Sequence, residues 1–330
     1  MNISLKALVT EMIHQPVQYV KMVHGGGNNR IYKVSLSSHN HVILKYYGYT
    51  GTDGLHLQRE YKGLSFLKQQ GELKIPAPIA IDQMHHCALY EWIEGEKLER
   101  IDPVDLEDVI SFIDRLKHYS LAKGARKLLP ASDHSLAISN IFHQIQRRLV
   151  RLKSMSQQEA LHGFLENQYA HCYSLILNKI RNQTMVVLDK TLPFSLAVLS
   201  PSDFGFHNIL KNQKGLIFID FEYFGWEDPA AMLAHFLWHP GMLLSEAQKQ
   251  YFSNEVFKIF ARDTGFQSRF EILFPLIGLV WTLILLNEFI PAVWERRVQA
   301  GAVLPEEFQK KCDAQLQKAQ NWIRYVRACV

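Results

Sequence analysis

The 330-residue sequence lacks a strong excess of charge, a cysteine pair suited to a metal, and a secretory signal. Its formal net charge of +4 gives no polybasic footprint, which argues against a nucleic-acid partner. The four cysteines are far apart and form no CxxC pair, so reduced thiols are expected. The N-terminus, MNISLKALVTEMIHQ, has no compact apolar core followed by a cleavage site. These absences predict a cytoplasmic protein.

No apolar run is long enough to suggest a membrane partner. Ile272–Leu286 (ILFPLIGLVWTLILL) has 15 residues and contains Pro275, whereas a membrane-spanning helix needs about 20 apolar residues. This stretch therefore predicts a buried core helix. The chain is 48% apolar and 21% charged, so we expect a substantial core in one large domain or two packed lobes.

The first ninety residues predict a small β lobe. Apolar runs broken by GGGNN and SSHNH indicate antiparallel strands at Val17–Val23, Arg30–Leu36 and His41–Tyr47. The period then becomes helical in DGLHLQREYKGLSFLKQQG, and IPAPIAID and HHCALYEWIEG indicate two further strands.

Helical patterns dominate the rest of the chain. DLEDVISFIDRLKHYS, HSLAISNIFHQIQRRLVRLKSM and SQQEALHGFLENQYAHCYSLILNKI predict three helices, and the C-terminal third from Pro229 is also helical. The change of composition falls at Glu94–Lys97. It predicts an N-terminal lobe of residues 1–94 and a helical lobe of residues 95–330.

One hairpin interrupts the helices and has polar clusters at both ends. Asp203 and Asn208 lie in the loop that leads into its first strand, and Asp220 ends its second strand. Asn and Asp oxygens are suitable ligands for Mg²⁺, and the five-residue spacing is that of the catalytic Asp and metal-binding Asn of kinases. Asp and Asn also commonly cap turns, which is the alternative interpretation.

A lysine and a glutamate in the first lobe favour the functional interpretation. Lys45 lies in an apolar strand, where a lone cation needs a partner, and Glu60 lies on the helix that follows. A strand lysine held by a helix glutamate positions nucleotide phosphates in kinases. The alternative is an edge-strand lysine that points at water.

Two weaker signals concern the nucleotide. The turn HGGGNNR, with Gly26, Gly27 and Asn28, could cover phosphates with backbone N–H groups, although a glycine-rich hairpin turn looks similar. Glu91 and Ile93, after the fifth strand, could meet the adenine edge, but only their order in the chain supports this. The sequence contains no GxxxxGK[ST], which argues against a P-loop.

Together these motifs resemble the aminoglycoside phosphotransferase and choline kinase-like family. The most specific pieces are REYKGLSFLKQQGELKIPAPI, SDFGFHNIL and FIDFEYFGWEDPA, and the similarity covers nearly the whole chain. The resemblance implies an α+β, two-lobed protein-kinase-like fold with a small antiparallel β lobe and a larger, mostly helical lobe. It also implies a catalytic Asp203, Mg²⁺ ligands Asn208 and Asp220, a phosphate-positioning pair Lys45 and Glu60, and a nucleotide loop of Gly26, Gly27 and Asn28.

The resemblance further implies an activity. We expect transfer of the γ-phosphoryl group of ATP (or GTP) to a hydroxyl of a small molecule, such as an amino alcohol, a sugar or an aminoglycoside. Two positions depart from the family pattern: Pro201-Ser202 replaces His-Gly before the catalytic Asp, and Met232 replaces an Asp that braces the loop. A pseudokinase-type nucleotide-binding or scaffolding protein without turnover is therefore the alternative. A protein kinase is disfavoured, because DFEYFGWEDPA leaves no room for an activation segment.

Candidates for the acceptor site are acidic and aromatic side chains that could recognise a cationic amine. They are Glu222, Glu227, Asp228, Glu288, Trp226, Trp281 and Trp294. Glu288 and the tryptophans could equally belong to the helical core. The sequence does not specify the acceptor or the oligomeric state.

Overall fold

The computed structural model describes residues 4–23, 29–37, 40–47, 53–98, 101–155, 158–182, 188–242 and 244–329. The helices in chain order are α1 (Leu5–Ile13), α2 (Asp53–Gln69), α3 (Pro103–Ser120), α4 (Ile138–Met155), α5 (Glu159–Gly163), α6 (Ala170–Arg181), α7 (Pro229–Trp238), α8 (Glu246–Ile259), α9 (Phe266–Leu285), α10 (Pro291–Gln299) and α11 (Phe308–Ala328). The strands are β1 (Val17–Val23), β2 (Arg30–Leu36), β3 (His41–Tyr46), β4 (Pro78–Asp82), β5 (Cys87–Glu91), β6 (Glu96–Lys97), β7 (Val198–Ser200), β8 (Ile209–Asn212), β9 (Gly215–Phe218) and β10 (Gly225–Glu227).

The chain forms two compact units, each built from several segments. The first unit comprises Met1–Leu129, Gly205–Gly225 and Arg296–Val303. The second comprises Pro130–Phe204, Trp226–Glu295 and Leu304–Val330.

A five-stranded antiparallel sheet is the main feature of the first unit. Its strand order is β1-β2-β3-β5-β4, and α2 connects β3 to β4. α1 was not predicted from the sequence. It buries Leu8 and Val9 in the same apolar cluster as Val34 of β2 and Leu44 of β3. A nine-residue helix is marginal alone in water, so this packing is what stabilises it.

The hairpin of β8 and β9 also belongs to the first unit. Asn212 pairs with Gly215, which closes a tight turn in which Gly215 has a φ of 90°. Residues other than glycine rarely adopt this conformation, which explains the glycine in NQKG. Phe218 of β9 stacks on Phe112 of α3, with ring centroids 3.9 Å apart, so the strand is anchored by its last residue.

The core of the second unit is built around α9. This helix packs against α4, α7 and α11, and most of its residues from Leu273 onward are buried. Within the described residues, Phe266–Phe289 is the one helix long and apolar enough to cross a membrane, and 67% of that window is buried inside the protein. The predicted core helix is thus present and extends beyond the apolar run.

The elements largely agree with the sequence-based predictions. The α+β architecture, with an antiparallel β lobe and a larger helical part, is confirmed. The third helix predicted after β5 is instead divided into α5, a π-helical segment at Phe164–Tyr169, and α6. β9 ends at Phe218, so Asp220 lies just beyond the strand rather than at its last position.

The tight packing of α9 predicts a steric effect at Gly278. A Cβ atom there would lie 2.8 Å from Val326 and 2.9 Å from the Trp238 ring, whose indole N–H is fixed by the Phe274 carbonyl. We expect Gly278→Ala to lower the free energy of unfolding by about 1–3 kcal/mol, measured by denaturant titration. Gly163→Ala is the matched control, because a Cβ at this helical position has nothing within 4 Å. Equal stability changes in the two variants would contradict the packing.

Candidate active site

Lys45 is the centre of a buried ionic cluster in the first unit. Successive side chains of β3 point to opposite faces of the sheet. Lys45 is buried there and is only 4% exposed. Its Nζ donates to Glu60 Oε2 of α2 at 2.6 Å and to Asp220 Oδ1 at 2.7 Å. The predicted pairing of Lys45 with Glu60 is therefore present, and Asp220 joins it.

The cluster keeps Lys45 charged. Burial alone would lower its pKa, because desolvation disfavours the ammonium form. The carboxylates of Asp220, Glu60 and Glu222 outweigh that effect and raise the pKa of Lys45 well above its ordinary value. A buried cation of this kind depends on its partners, since removal of one leaves charge without compensation.

Glu60 is itself held by side chains that the sequence analysis missed. The Tyr47 hydroxyl donates to Glu60 Oε2 at 2.6 Å and lies 2.8 Å from the Tyr90 hydroxyl. The backbone N–H of Phe221 donates to Glu60 Oε1 at 3.3 Å. Tyr47 lies two residues after Lys45, so the two-residue period of a strand could have placed it on the same face.

Asn208 and Asp220 are brought to neighbouring positions by the hairpin. The N–H of Ile219 donates to the Asn208 carbonyl at 2.9 Å, directly beside the β8–β9 pairing. Asp220 has a φ of 63°, a left-handed conformation that Asp tolerates better than most residues. Its side chain is 34% exposed, so part of this carboxylate faces solvent.

Glu222 adds a third carboxylate to the cluster. It accepts a hydrogen bond from the Asn29 amide, and it lies 3.8 Å from Lys45 Nζ. Burial, together with the Asp220 charge, raises the pKa of Glu222 to about 8. The structure thus places Glu222 beside Lys45, whereas the sequence suggested a contact with the acceptor.

The oxygen atoms of this cluster fit a hard divalent cation. Carboxylate oxygens of Glu60, Asp220 and Glu222 lie within 4.8 Å of one another. Mg²⁺ prefers oxygen ligands and usually takes one or two carboxylates together with phosphate oxygens. Lys45 Nζ already lies 2.6–3.8 Å from these three carboxylates, so the partly exposed Asp220 is the one whose oxygen is open to a metal, and metal binding by Asn208 and Asp220 remains a prediction.

The loop that carries Asp203 belongs to the second unit and is held by short-range hydrogen bonds. Ser200 Oγ accepts from the Ser202 N–H at 3.0 Å, and the Pro201 carbonyl accepts from the Asp203 N–H at 2.9 Å. Ser202 has a φ of 68°. This serine occupies the position where the resembled family has glycine, so its backbone keeps a conformation that favours glycine.

Of the remaining residues predicted to contact the nucleotide, the structure describes Glu91 and Ile93. Gly26, Gly27 and Asn28 lie outside the described residues. Glu91 ends β5, and its N–H and its carboxylate both bond to the backbone of Ala77. Ile93 follows in a partly buried position. These contacts remain predictions.

Three of the acidic residues proposed for the acceptor, Glu227, Asp228 and Glu288, are buried in the second unit. Glu227 Oε1 accepts from the backbone N–H groups of Ser135 and Asp228, while no described residue bonds to its Oε2. Asp228 caps α7 and pairs with Arg269 at 2.7 Å. Glu288 and the three tryptophans are also buried. Their burial supports the alternative that Glu288 and the tryptophans belong to the core.

Ser202 provides a test of the loop conformation. Ser202→Gly should raise the free energy of unfolding by about 0.5–1 kcal/mol, because glycine adopts positive φ without steric cost. Ser202→Ala keeps the Cβ and should bring no gain. Thermal unfolding of both variants measures the effect, and a stabilising alanine would contradict the explanation.

Glu227 makes stability depend on pH. Burial raises its pKa from 4.5 to about 8, so its stabilising contribution is present at low pH and is lost as pH rises through about 8. Glu227→Gln removes this titration. The stability of the variant relative to wild type should therefore increase between about pH 5 and pH 8 by up to about 5 kcal/mol, then level off.

Thermal unfolding at several pH values measures this difference. Glu295→Gln, at an exposed position of α10, is the control. A constant difference between Glu227→Gln and wild type across the pH range would rule out a raised pKa at Glu227.

The chain is similar to known phosphotransferases. A model of the phosphotransferase enzyme family matches residues 20–263. Choline kinase from Cryptosporidium parvum Iowa II has a TM-score of 0.57 and 14% identity, with 92% of this chain and 93% of that chain covered. No curated protein sequence matches the chain.

Two further structures share the fold. A spectinomycin phosphotransferase in complex with ADP and spectinomycin has a TM-score of 0.60 and 14% identity, over 96% of this chain and 100% of that chain. An amicoumacin kinase in complex with AMP-PNP and Ca²⁺ has a TM-score of 0.57 and 13% identity, over 95% of this chain and 91% of that chain. Since the family match spans well over half of the sequence, the chain belongs to the phosphotransferase enzyme family.

Proposed function

We propose that this phosphotransferase moves the γ-phosphoryl group of ATP to a hydroxyl group of a small molecule, with Mg²⁺ as cofactor. The observation that carries the proposal is the buried Lys45 ammonium between Glu60 and the partly exposed Asp220. A fixed cation next to a carboxylate that is open to solvent can hold phosphates on one side and a metal on the other. ADP and AMP-PNP in the related structures support a nucleotide donor.

The charges of the cluster support a requirement for a divalent cation. Three carboxylates surround one ammonium group, so the cluster is net negative even when Glu222 carries a proton. A polyphosphate is repelled by such a cluster unless a cation offsets the charge. When bound, Mg²⁺ would supply that charge between Asn208, Asp220 and the phosphates.

The chain's own groups have separate roles in the proposed step. Lys45 holds the α- and β-phosphates, and Glu60 keeps its ammonium in place. Asp203 orients the acceptor hydroxyl and takes its proton as the new O–P bond forms and the bond from Pγ to the bridging oxygen breaks, which releases ADP. Little covalent work falls to the protein, so positioning and charge neutralisation carry the catalysis.

Several chemical classes of acceptor are compatible with the site. Burial of Glu227, Asp228 and Glu288 removes the acidic groups that supported a cationic amine. Neutral sugars and polyols should therefore be tested beside amino alcohols and aminoglycosides.

Asp203→Asn tests the proposed base. The variant should lose about 10²–10⁴-fold in kcat, because the amide cannot accept the proton, while nucleotide affinity stays close to wild type. The measurements are Mg²⁺-dependent transfer from radiolabelled ATP to each acceptor class, and calorimetric titration with ATP. Asp114→Asn, at an exposed position of α3, is the matched control.

Two outcomes would contradict the proposal in different ways. Wild-type turnover by Asp203→Asn would remove Asp203 from the mechanism. Nucleotide binding without transfer to any acceptor class would instead favour a nucleotide-binding protein without turnover.

A further inference from the structure

His239 lies next to Asp203 within the second unit. It follows the last residue of α7 and caps that helix. Its Nε2 lies 3.5 Å from Asp203 Oδ1. This separation is long for a hydrogen bond, but contacts to catalytic groups often shorten when the substrate is bound.

The backbone around His239 determines which ring nitrogen faces Asp203 as a donor. The Gly241 N–H donates to His239 Nδ1 at 3.0 Å, so the lone pair of Nδ1 is occupied. In a neutral imidazole the proton must then be on Nε2. The donor nitrogen therefore faces the carboxylate.

The ring of His239 is also held in place by packing. It makes an edge contact with the Trp281 ring, with centroids 4.7 Å apart and an interplanar angle of 78°. A Cβ atom at Gly241 would lie 3.2 Å from the ring, so the glycine backbone approaches it closely. The imidazole is 9% exposed, whereas the Asp203 side chain is 31% exposed. The packed His239 ring is thus placed to support the more exposed Asp203 side chain.

Neither residue directly before Asp203 supplies a backbone N–H for its carboxylate. Pro201 has no N–H group and no polar side chain, and Ser202 uses its N–H for the Ser200 hydroxyl. His239, from another element, is placed to hold one oxygen of this carboxylate. Small errors in the position of a catalytic group can reduce rates by about 10²-fold.

We propose that His239 is a positioning residue for Asp203, whose Nε2–H holds Oδ1 so that the other oxygen faces the acceptor hydroxyl. This inference rests on the proposed role of Asp203 as the base. It assigns a part in the reaction to the residue that caps α7, which no motif in the sequence indicates.

Two substitutions of His239 separate positioning from structural support. His239→Asn keeps an acceptor near the Nδ1 position for the Gly241 N–H but has no donor that reaches Asp203. His239→Gln places an amide donor near the Nε2 position but loses the bond to Gly241. For a positioning residue, kcat should fall about 10- to 100-fold in the Asn variant with KM values unchanged, and the Gln variant should recover most of it.

A purely structural role predicts the opposite order. The Asn variant would then retain the higher kcat, and the kcat of both variants would follow their melting temperatures. That result would overturn the inference while the Asp203→Asn result still stands on its own.

NMR spectroscopy tests the contact between His239 and Asp203 even if no acceptor is phosphorylated. In the wild-type protein, the ¹⁵N resonances of His239 should show a protonated Nε2, and Asp203→Asn should shift Nε2 while Nδ1 changes little. An Nε2 resonance that does not respond to Asp203→Asn would overturn the contact. Absence of transfer by the wild-type protein, with a responsive Nε2, would overturn the proposed function and leave the contact established.

Discussion

The burial of one ammonium group is the constraint on which the first unit depends. Lys45 lies almost entirely out of water, which is tolerated only where carboxylates and further hydrogen bonds compensate it. Glu60 and Asp220 come from α2 and from the turn after β9, far apart in sequence. The sheet, the helix and the hairpin must all be in place before this charge is satisfied. The buried charge is therefore compensated only when all of these elements have assembled.

The loop of Asp203 is less enclosed by partner side chains than the Lys45 cluster. Lys45 and Glu60 are surrounded by fixed partners, whereas Asp203 follows a serine in a left-handed conformation and is partly open to solvent. Backbone strain of this kind persists only where the surrounding structure holds it. The hydrogen bonds within the loop and the imidazole of His239 provide that support. A rigid phosphate side and a supported acceptor side are consistent with catalysis by positioning.

The sequence predicts the local elements well and the long-range contacts in part. The bounds of β1 and β2 follow from turn signals and alternation, which are local properties. Pairing of Lys45 with Glu60 could be inferred, because a buried cation needs a partner. Tyr47 and Tyr90 were missed, since strand alternation gives the face of Tyr47 but not which hydroxyl reaches Glu60. His239 was missed because its relation to Asp203 depends on how α7 packs.

Two further differences have the same physical origin. β6 has only two residues and exists through its pairing with β8, so no pattern in its own sequence predicts it. The π-helical segment between α5 and α6 shifts the hydrogen-bond register without interrupting the apolar period. Short elements and register shifts are set by tertiary contacts, which a window of sequence does not contain.

The apolar character of α9 has a consequence for how the chain is made. α11, which covers part of α9, ends more than forty residues later in the chain. At about 5–20 residues per second, a ribosome exposes α9 for several seconds before its C-terminal cover has been synthesised. During that time the helix presents a long apolar surface that a chaperone can bind. Loss of α11 would leave the part of α9 that α11 covers exposed in the folded protein as well.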